Sequence, residues 1–349
     1  MSSPARSPCL SPASAPLPAV SVLIPTKDRP ADLLRAVASV LRQSLPAAEI
    51  VILDQSADGA SERRIRRLHA AWSGARMGAW PGASHGSGAA PPPLRYCRAP
   101  SLRGLAAARN RAMEMAAGDI WLFLDDDVVL EPDYLAALLR AYAAHPEAAG
   151  ISGVITNYCR PGIAYRAWRA VFARGPFRDP RQVVYWNAAR LRLAPPRRVR
   201  CLGGGLMSFR AAALAGRRFD ERLAGVCDGE DVDFCARLGP RAVLLMAPAA
   251  RLAHHRSPVG REPIHWLRRQ ARSEAYLYFR NWRGGDWRAW PRRLCFAWLQ
   301  TGYAVAALAG CARHRSARAW RAWRAGLADA HRIAAPGDPP PAAEYVRSE

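Results

Sequence analysis

Residues 120–127 read IWLFLDDD, five apolar side chains followed directly by three aspartates. An uninterrupted apolar run of this length is typical of a strand buried on both faces of a parallel sheet. Adjacent carboxylates repel one another unless a cation lies among them. Because side chains alternate along an extended chain, Asp125 and Asp127 are predicted on one side and Asp126 on the other. The segment therefore predicts a buried strand that ends in two converging carboxylates.

These two carboxylates suit a hard divalent cation. Mg²⁺ or Mn²⁺ held by one or two carboxylates usually completes its coordination shell with water and substrate phosphates. Asp125 and Asp127 therefore predict a divalent metal that binds a nucleotide diphosphate. The alternative is an acidic turn without a metal, since a single D-x-D pair is a weak signal.

Two predicted βα units precede this strand. Residues 20–30, VSVLIPTKDRP, predict a strand that stops at a proline, and apolar residues then recur at helical spacing. Asp32 is predicted as the cap of that helix. Residues 48–53, AEIVIL, predict a second strand, which ends at Asp54. Polar residues thus follow the carboxyl ends of both strands, where open parallel sheets bind ligands.

Several motifs in this order resemble family 2 of the GT-A glycosyltransferases. They are IPTKDR at 24–29, the strand that closes on Asp54, GLAAARNR at 104–111, FLDDD at 123–127, GGGLMSFR at 203–210 and GEDVDFCARL at 229–238. The resemblance covers about residues 20–256. It implies an α/β, Rossmann-like fold with a doubly wound, mostly parallel sheet flanked by helices.

The resemblance also implies roles for residues on the donor side. Pro25 and Thr26 would border the nucleotide, Asp54 would contact its base or ribose, and Arg109 would lie near the diphosphate. Asp125 and Asp127 would bind the ribose edge and the metal. The donor-binding set is completed by two glycines, at which the backbone can approach a sugar closely, Gly204 and Gly205.

On the acceptor side, the resemblance implies that Asp231 is the general base. Direct displacement of a sugar needs a carboxylate that removes the acceptor's proton and a cation that stabilises the departing diphosphate. Glu230 is the alternative base, and both acids could instead only complement the dipole of the helix that they precede.

Two further positions leave alternatives open. Arg109 and Asn110 could simply be exposed on a helix predicted from Leu105 to Met115. Two adjacent histidines, His254 and His255, follow the last predicted strand, and either imidazole could ligate the metal or contact the diphosphate. We include His255 with Asp125 and Asp127 as predicted metal ligands.

One departure from the family pattern concerns the second strand. The family often has two acids there, whereas this chain has Asp54 followed by Gln55. The chain also lacks the Q-x-x-R-W pattern of processive polysaccharide synthases, which favours addition of one sugar per encounter.

Composition limits the partners. The formal charge of +23 comes almost wholly from arginine, since Lys27 is the only lysine. This positive field favours anionic donors, anionic glycans or an acidic membrane surface. Nucleic acid is not predicted, because the sequence contains no helix-turn-helix, zinc-finger or RNP-type pattern. The eight cysteines form no C-x-x-C pair, which favours reduced thiols in the cytoplasm.

The predicted organisation is one catalytic domain with appendages. Residues 1–18 and 336–349 are predicted to be disordered, 19–260 to form the GT-A domain with a flexible insertion at about 72–93, and 261–335 to be helical. Residues 294–312 carry no charge, and tryptophans and arginines flank them. We expect this region to attach peripherally to the inner face of the cell membrane, although a helix that closes the catalytic domain has the same pattern.

The sequence thus predicts a metal-dependent, inverting glycosyltransferase. It would move a sugar from a nucleotide-diphosphate donor to a glycan or lipid-linked acceptor in cell-surface polysaccharide or glycoconjugate synthesis. Two alternatives remain: a catalytically inactive GT-A scaffold in a glycan-assembly complex, and a sugar-nucleotide pyrophosphorylase. The pyrophosphorylase would be expected to carry a G-x-G-x-R loop, which is absent from the sequence.

Overall fold

The fold is described here from a computed structural model, which covers residues 17–74, 91–179, 181–223, 229–255, 263–282 and 290–334. Most of the predicted insertion and of the predicted disordered ends, namely residues 1–16, 75–90 and 335–349, lies outside the described residues.

Nine strands form one mixed sheet within these ranges. They are β1 Val20–Thr26, β2 Glu49–Asp54, β3 Leu94–Arg98, β4 Ile120–Phe123, β5 Val128–Leu130, β6 Ala148–Ile155, β7 Arg197–Arg198, β8 Met207–Arg210 and β9 Val243–His254. The helices are α1 Pro30–Leu41, α2 Ala60–Gly74, α3 Leu105–Met115, α4 Tyr134–Ala144, α5 Ile163–Phe172, α6 Arg181–Trp186, α7 Ala211–Leu214, α8 Glu230–Arg237, α9 Pro263–Leu277, α10 Trp290–His314 and α11 Arg318–Ala334.

The strand order is β3-β2-β1-β4-β8-β6-β9-β5, with β7 paired to β9. The first four strands in this order are mutually parallel. Strand β8 then runs antiparallel between β4 and β6. The predicted doubly wound, mostly parallel sheet is confirmed, and its parallel half carries the ends of β1, β2 and β4 at one edge.

The central strands of the parallel half of the sheet are buried. Every residue of β1 and β2 is buried, as expected for strands covered by helices on both faces. Strand β4 pairs with β1 and is itself almost wholly buried. The three aspartates at 125–127 follow directly, so they emerge at the carboxyl edge of the sheet.

Helix α1 begins differently from the prediction. Arg29 occupies the cap position and Pro30 the first helical turn, where a proline loses no hydrogen bond. Asp32 lies inside the first turn and does not cap the helix, so the predicted cap is wrong. Its charge still complements the positive end of the helix dipole.

Helix α10 packs through one face against α5, α9 and the segment around Phe177. Leu299, Tyr303 and Ala307 are buried in a cluster with Phe177 and Leu267. At Gly302 the helix approaches α5 so closely that an added Cβ would lie 2.7 Å from the Phe172 Cβ. Among the described residues α10 alone is long and apolar enough to cross a membrane, by length and composition only.

Candidate active site

The acidic run at the end of β4 divides between two environments. Ligand atoms of Asp125, Asp127 and His254 lie within 4.8 Å of one another. Asp126 is not part of this cluster and accepts a hydrogen bond of 2.7 Å from the Thr26 hydroxyl. The structure thus brings Asp125 and Asp127 together and engages Asp126 with β1.

The histidine that lies with these two carboxylates is His254, whereas the sequence favoured His255 as the metal ligand. The His254 Nε2 lies 3.0 Å from Asp127 Oδ1. His255 is exposed and reaches Asp127 only through its backbone N–H, which donates to the Asp127 carbonyl oxygen at 2.8 Å. Neighbouring side chains at the end of β9 point to opposite sides, so only one of the two can face the carboxylates.

Arg109 connects this cluster to the acids of α8. Its guanidinium is 1% exposed and donates to Glu230 Oε1 at 2.8 Å, to Asp125 Oδ1 at 3.2 Å and to the Gly204 carbonyl at 2.9 Å. The alternative in which Arg109 is exposed on its helix is therefore wrong. It is also wrong for Asn110, whose buried side chain donates to the Phe219 carbonyl and accepts from the Phe219 N–H.

The glycine loop before β8 fits around these groups. A Cβ on Gly205 would lie 2.7 Å from Asp125 Cγ, and one on Gly204 would lie 3.1 Å from Arg109 Nη2. A side chain at Gly205 would therefore displace the Asp125 carboxylate. The glycines are needed here because charged side chains occupy the space where a Cβ would stand.

The two acids at the start of α8 have different surroundings. Asp231 is 18% exposed toward the cleft, and its Oδ2 accepts from the Gly204 N–H at 2.9 Å and from Arg181 at 3.3 Å. Glu230 is only 5% exposed and pairs with Arg109. Burial raises the pKa of Glu230 to about 7, even though Arg109 acts to lower it.

Beyond Asp126, a second group of polar residues lies at the same edge. Arg29 donates to Asp126 Oδ1 at 3.2 Å and lies 3.9 Å from Asp127 Oδ2. Burial raises the pKa of Asp126 to about 6, while the Thr26 hydrogen bond and Arg29 act to lower it. The Thr26 hydroxyl therefore supports the acidic turn.

Asp54 ends β2 directly beside Thr26, its partner in the β1–β2 register. The carboxylate is fully buried, and it accepts from the Ser56 N–H at 2.8 Å and from the Tyr96 hydroxyl at 2.6 Å. Gln55, which stands where the family often has a second acid, donates to the Leu102 and Gly104 carbonyls. It thereby fixes the loop that leads into α3.

A cavity of about 1160 Å³ opens in front of these groups. It brings together six of the predicted site residues, namely Arg109, Asp125, Gly204, Gly205, Glu230 and Asp231, and also His254. The remaining ones, Pro25, Thr26, Asp54, Asp127 and His255, are not among its lining residues in the part of the chain that the structure describes.

Sequence reasoning missed Arg181. Its guanidinium is 13% exposed, pairs with Asp179 at 2.8 Å and donates to Asp231. It lies in a region rich in arginine, and no motif or spacing distinguishes it there. Only the folded chain brings it to a residue 50 positions away.

Comparison with known proteins gives a family. A model of glycosyl transferase family 2 matches residues 21–213, which is more than half of the chain. The succinoglycan biosynthesis protein ExoM of Rhizobium meliloti is 28% identical over 163 residues, 47% of this chain and 48% of ExoM. Glucosyl-dolichyl phosphate glucuronosyltransferase of Haloferax volcanii is 32% identical over 53 residues, 15% of this chain and 17% of that protein. The matches thus span half or less of these curated relatives.

Solved structures agree on the fold. The mannosyltransferase PcManGT of Pyrobaculum calidifontis, solved with GDP-Man and Mn²⁺, has a TM-score of 0.53 at 19% identity, over 93% of this chain and 89% of its own. Residues 1–349 of S. aureus TarS give 0.55 at 14% identity, over 90% and 81%. With the family match, these likenesses establish that the chain belongs to glycosyl transferase family 2 and has the GT-A fold.

Proposed function

We propose that this protein transfers a hexosyl or deoxyhexosyl group from a nucleotide-diphosphate sugar to a glycan or lipid-linked acceptor. The observation that carries the proposal is the cavity in which Asp125 and His254, which lie in one cluster with Asp127, face Asp231 across Arg109 and the glycine loop. A metal-binding group and an accessible carboxylate on two sides of one space suit displacement at a sugar carbon between them.

The donor set of the cluster fits a divalent cation. Two carboxylates and one imidazole within a few ångströms match the ligands that Mn²⁺ or Mg²⁺ takes in proteins. Asp125, Asp127 and His254 would hold the ion, which supplies positive charge to a departing diphosphate. Pro25, Thr26, Asp54, Gly204 and Gly205 remain the proposed neighbours of the nucleotide and its sugar.

Asp231 is the proposed general base. It is the more exposed of the first two residues of α8, both acids, and the Gly204 N–H and Arg181 hold its carboxylate in one orientation. A carboxylate held in this way could accept a proton from an acceptor hydroxyl. Glu230 is engaged by Arg109, so we assign it to positioning. A base opposite the leaving group gives inversion at the reacting carbon.

The remaining features of the proposal concern how and where the enzyme works. We propose one sugar per encounter, in cell-surface polysaccharide or glycoconjugate synthesis at the cytoplasmic face of the membrane. The catalytic domain would comprise residues 19–260 and a helical appendage residues 261–335. The arginine-rich surface and α10 support attachment to an anionic membrane.

The test is calorimetric titration of UDP, GDP and dTDP, each with and without Mn²⁺. We expect one nucleotide to bind in a metal-dependent way and Asp127→Ala to abolish that binding. The control is Glu147→Ala, an exposed acid just before β6 at the opposite edge of the sheet. Hydrolysis of the matching nucleotide sugar should then be lost in Asp231→Asn. If Mn²⁺ does not increase the affinity of the folded protein for any of the three nucleotides, the donor site is refuted and an inactive scaffold is favoured.

A further inference from the structure

Two polar side chains of α9 line the cavity and take no part in the proposed catalysis. They are Gln270 and Glu274, which stand one helical turn apart and therefore on the same face of α9. Both are partly buried. Neither forms a side-chain hydrogen bond or a close ion pair within the ranges that the structure covers. Polar groups withdrawn from water cost free energy unless a partner binds them, so this pair is available to a molecule in the cavity.

Helix α9 holds this pair beside the proposed base. Gly229 is the cap residue of α8, two residues before Asp231. A Cβ on Gly229 would lie 2.5 Å from the Oγ of Ser273, the neighbour of Glu274, so α9 and the start of α8 are in close contact. Arg181, which donates to Asp231, also attracts the Glu274 carboxylate. Glu274 therefore lies on the side of the cavity where Asp231 would take the acceptor's proton.

The charges around Glu274 are balanced. Arg181 pairs with Asp179 at 2.8 Å and also contacts Asp231. Arg169 attracts Glu274 and Asp179 across a longer distance. Two arginines thus face three acids in this wall, and positive charge is not in excess there. An acidic sugar would be repelled by the Glu274 carboxylate, so the wall favours a molecule without charge.

The other arginines of the cavity do not change this balance. Arg109 pairs with Glu230. Four further arginines that line the cavity are exposed to solvent, which screens their charges: Arg178, Arg198, Arg200 and Arg292. The high positive charge of the whole chain therefore does not describe the wall beside Asp231.

Aromatic surface adjoins the same wall. Tyr165 of α5 lines the cavity and lies near enough to Glu274 for the carboxylate charge to act on its hydroxyl. Its ring stacks on Trp168, with the ring centroids 6.2 Å apart. An amide both donates and accepts hydrogen bonds, whereas a carboxylate only accepts. Neighbouring hydroxyls of a sugar ring can satisfy both groups while its C–H face packs on the aromatic surface.

We propose that Gln270 and Glu274 bind hydroxyl groups of an uncharged sugar ring of the acceptor and thereby present its reacting hydroxyl to Asp231. The two residues select the acceptor sugar and take no part in bond breaking. This inference rests on the proposed glycosyl transfer, and it narrows the acceptor to a glycan whose receiving sugar carries no acidic group.

Saturation-transfer NMR with simple glycosides tests this assignment. The probes are the methyl glycosides of glucose, galactose, mannose, N-acetylglucosamine and glucuronic acid, titrated into the full chain at pH 8. This pH lies above the pKa of Glu274, which burial raises to about 7. We expect at least one uncharged glycoside to bind and the glucuronide to bind about tenfold more weakly than it.

Two variants and a matched control locate the binding. Glu274→Gln should weaken the binding of the uncharged glycoside about tenfold, because the hydrogen bond to a charged acceptor is lost, and Gln270→Ala about fivefold. The control is Glu147→Gln, an exposed acid just before β6, which should leave the affinity unchanged. Unchanged affinity in both α9 variants overturns the proposal, as does tighter binding of the glucuronide than of every uncharged glycoside.

A measurement of stability separates this role from a structural one. Because the Glu274 carboxylate forms no hydrogen bond within the described ranges, Glu274→Gln should lose glycoside affinity while its urea midpoint stays the same or rises. A fall in both quantities means that Glu274 supports the fold, and the proposal is then wrong.

Nucleotide binding by the same samples separates the remaining outcomes. If no glycoside binds while metal-dependent nucleotide binding is intact, the acceptor subsite is wrong and the proposed function stands. If metal-dependent nucleotide binding is absent as well, the proposed function fails with it. If the α9 variants weaken binding of the intact nucleotide sugar but not of the nucleotide, Gln270 and Glu274 hold the donor's sugar, and the assignment to the acceptor is overturned.

Discussion

Arg109 is the residue whose replacement tests the site most directly. We consider Arg109→Met, which keeps an unbranched apolar stem of similar shape and removes the guanidinium. The guanidinium lies 2.8 Å from Glu230 Oε1 and 3.2 Å from Asp125 Oδ1, and Arg109 is only 1% exposed. Both acids therefore lose a buried cationic partner. Two unit charges about 4 Å apart interact by about 4 kcal/mol at an effective dielectric constant of about 20. Breaking buried pairs typically costs about 3–5 kcal/mol.

Proton uptake by Glu230 limits this cost in a pH-dependent way. The pKa of Glu230 is about 7 with Arg109 in place and rises further without it, whereas in the unfolded chain it is near 4.5. A raised folded pKa means that stability falls as pH rises through the interval between the two values. We therefore expect Arg109→Met to cost about 3 kcal/mol at pH 8 and less at pH 5.5.

Urea unfolding at both pH values measures this difference. Arg109→Met/Glu230→Gln should recover part of the loss at pH 8, because no buried carboxylate is then left without its cation. The control is Arg111→Met on the same helix, an exposed arginine paired with Glu114, which should cost under about 1 kcal/mol. A cost below about 1 kcal/mol for Arg109→Met at pH 8, or no recovery in the double variant, would refute the reasoning.

Two further predictions follow from close contacts and burial. Gly205→Ala should weaken metal-dependent nucleotide binding and lower the unfolding free energy by about 1–3 kcal/mol, because its Cβ would meet the Asp125 carboxylate. The control is Gly162→Ala, where an added Cβ would meet no atom within 4 Å, and it should change neither quantity appreciably. Burial raises the pKa of Glu274 to about 7, so its ionisation destabilises the fold as pH rises from about 4.5 to 7. Glu274→Gln should match the unaltered protein below pH 4.5 and be more stable above pH 7, by up to about 3 kcal/mol. A gain that does not vary with pH would contradict this assignment.

Local patterns predicted the parts of the fold that depend on local chemistry. The predicted helix from Leu105 to Met115 coincides with α3, and the apolar run before the aspartates forms β4. Alternation along the chain predicted that Asp126 diverges from Asp125 and Asp127. Each of these features is fixed by side-chain periodicity within a few residues.

Side-chain periodicity could not predict contacts between segments that are far apart in the sequence. Arg109 is a charged residue on the buried side of an alanine-rich helix, and its partners are 16 to 121 residues away. Thr26 and Asp126 are 100 residues apart. Such pairs are defined only when the sheet assembles, so no spacing in the sequence indicates them. For the same reason, the sequence could not indicate which of His254 and His255 lies beside Asp125 and Asp127.

That choice is made by strand register. Val128 pairs with His254 in the β5–β9 ladder, which sets His254 beside the acidic turn. Upstream, Ser152 of β6 pairs with Met246 and Val154 pairs with Arg251, so β9 gains three residues over β6 between them. A deletion of one residue in this irregular stretch would bring His255 into the ladder position of His254, with its side chain beside Asp125 and Asp127. Because the two histidines are adjacent, such a change in length would replace one imidazole with another at this position.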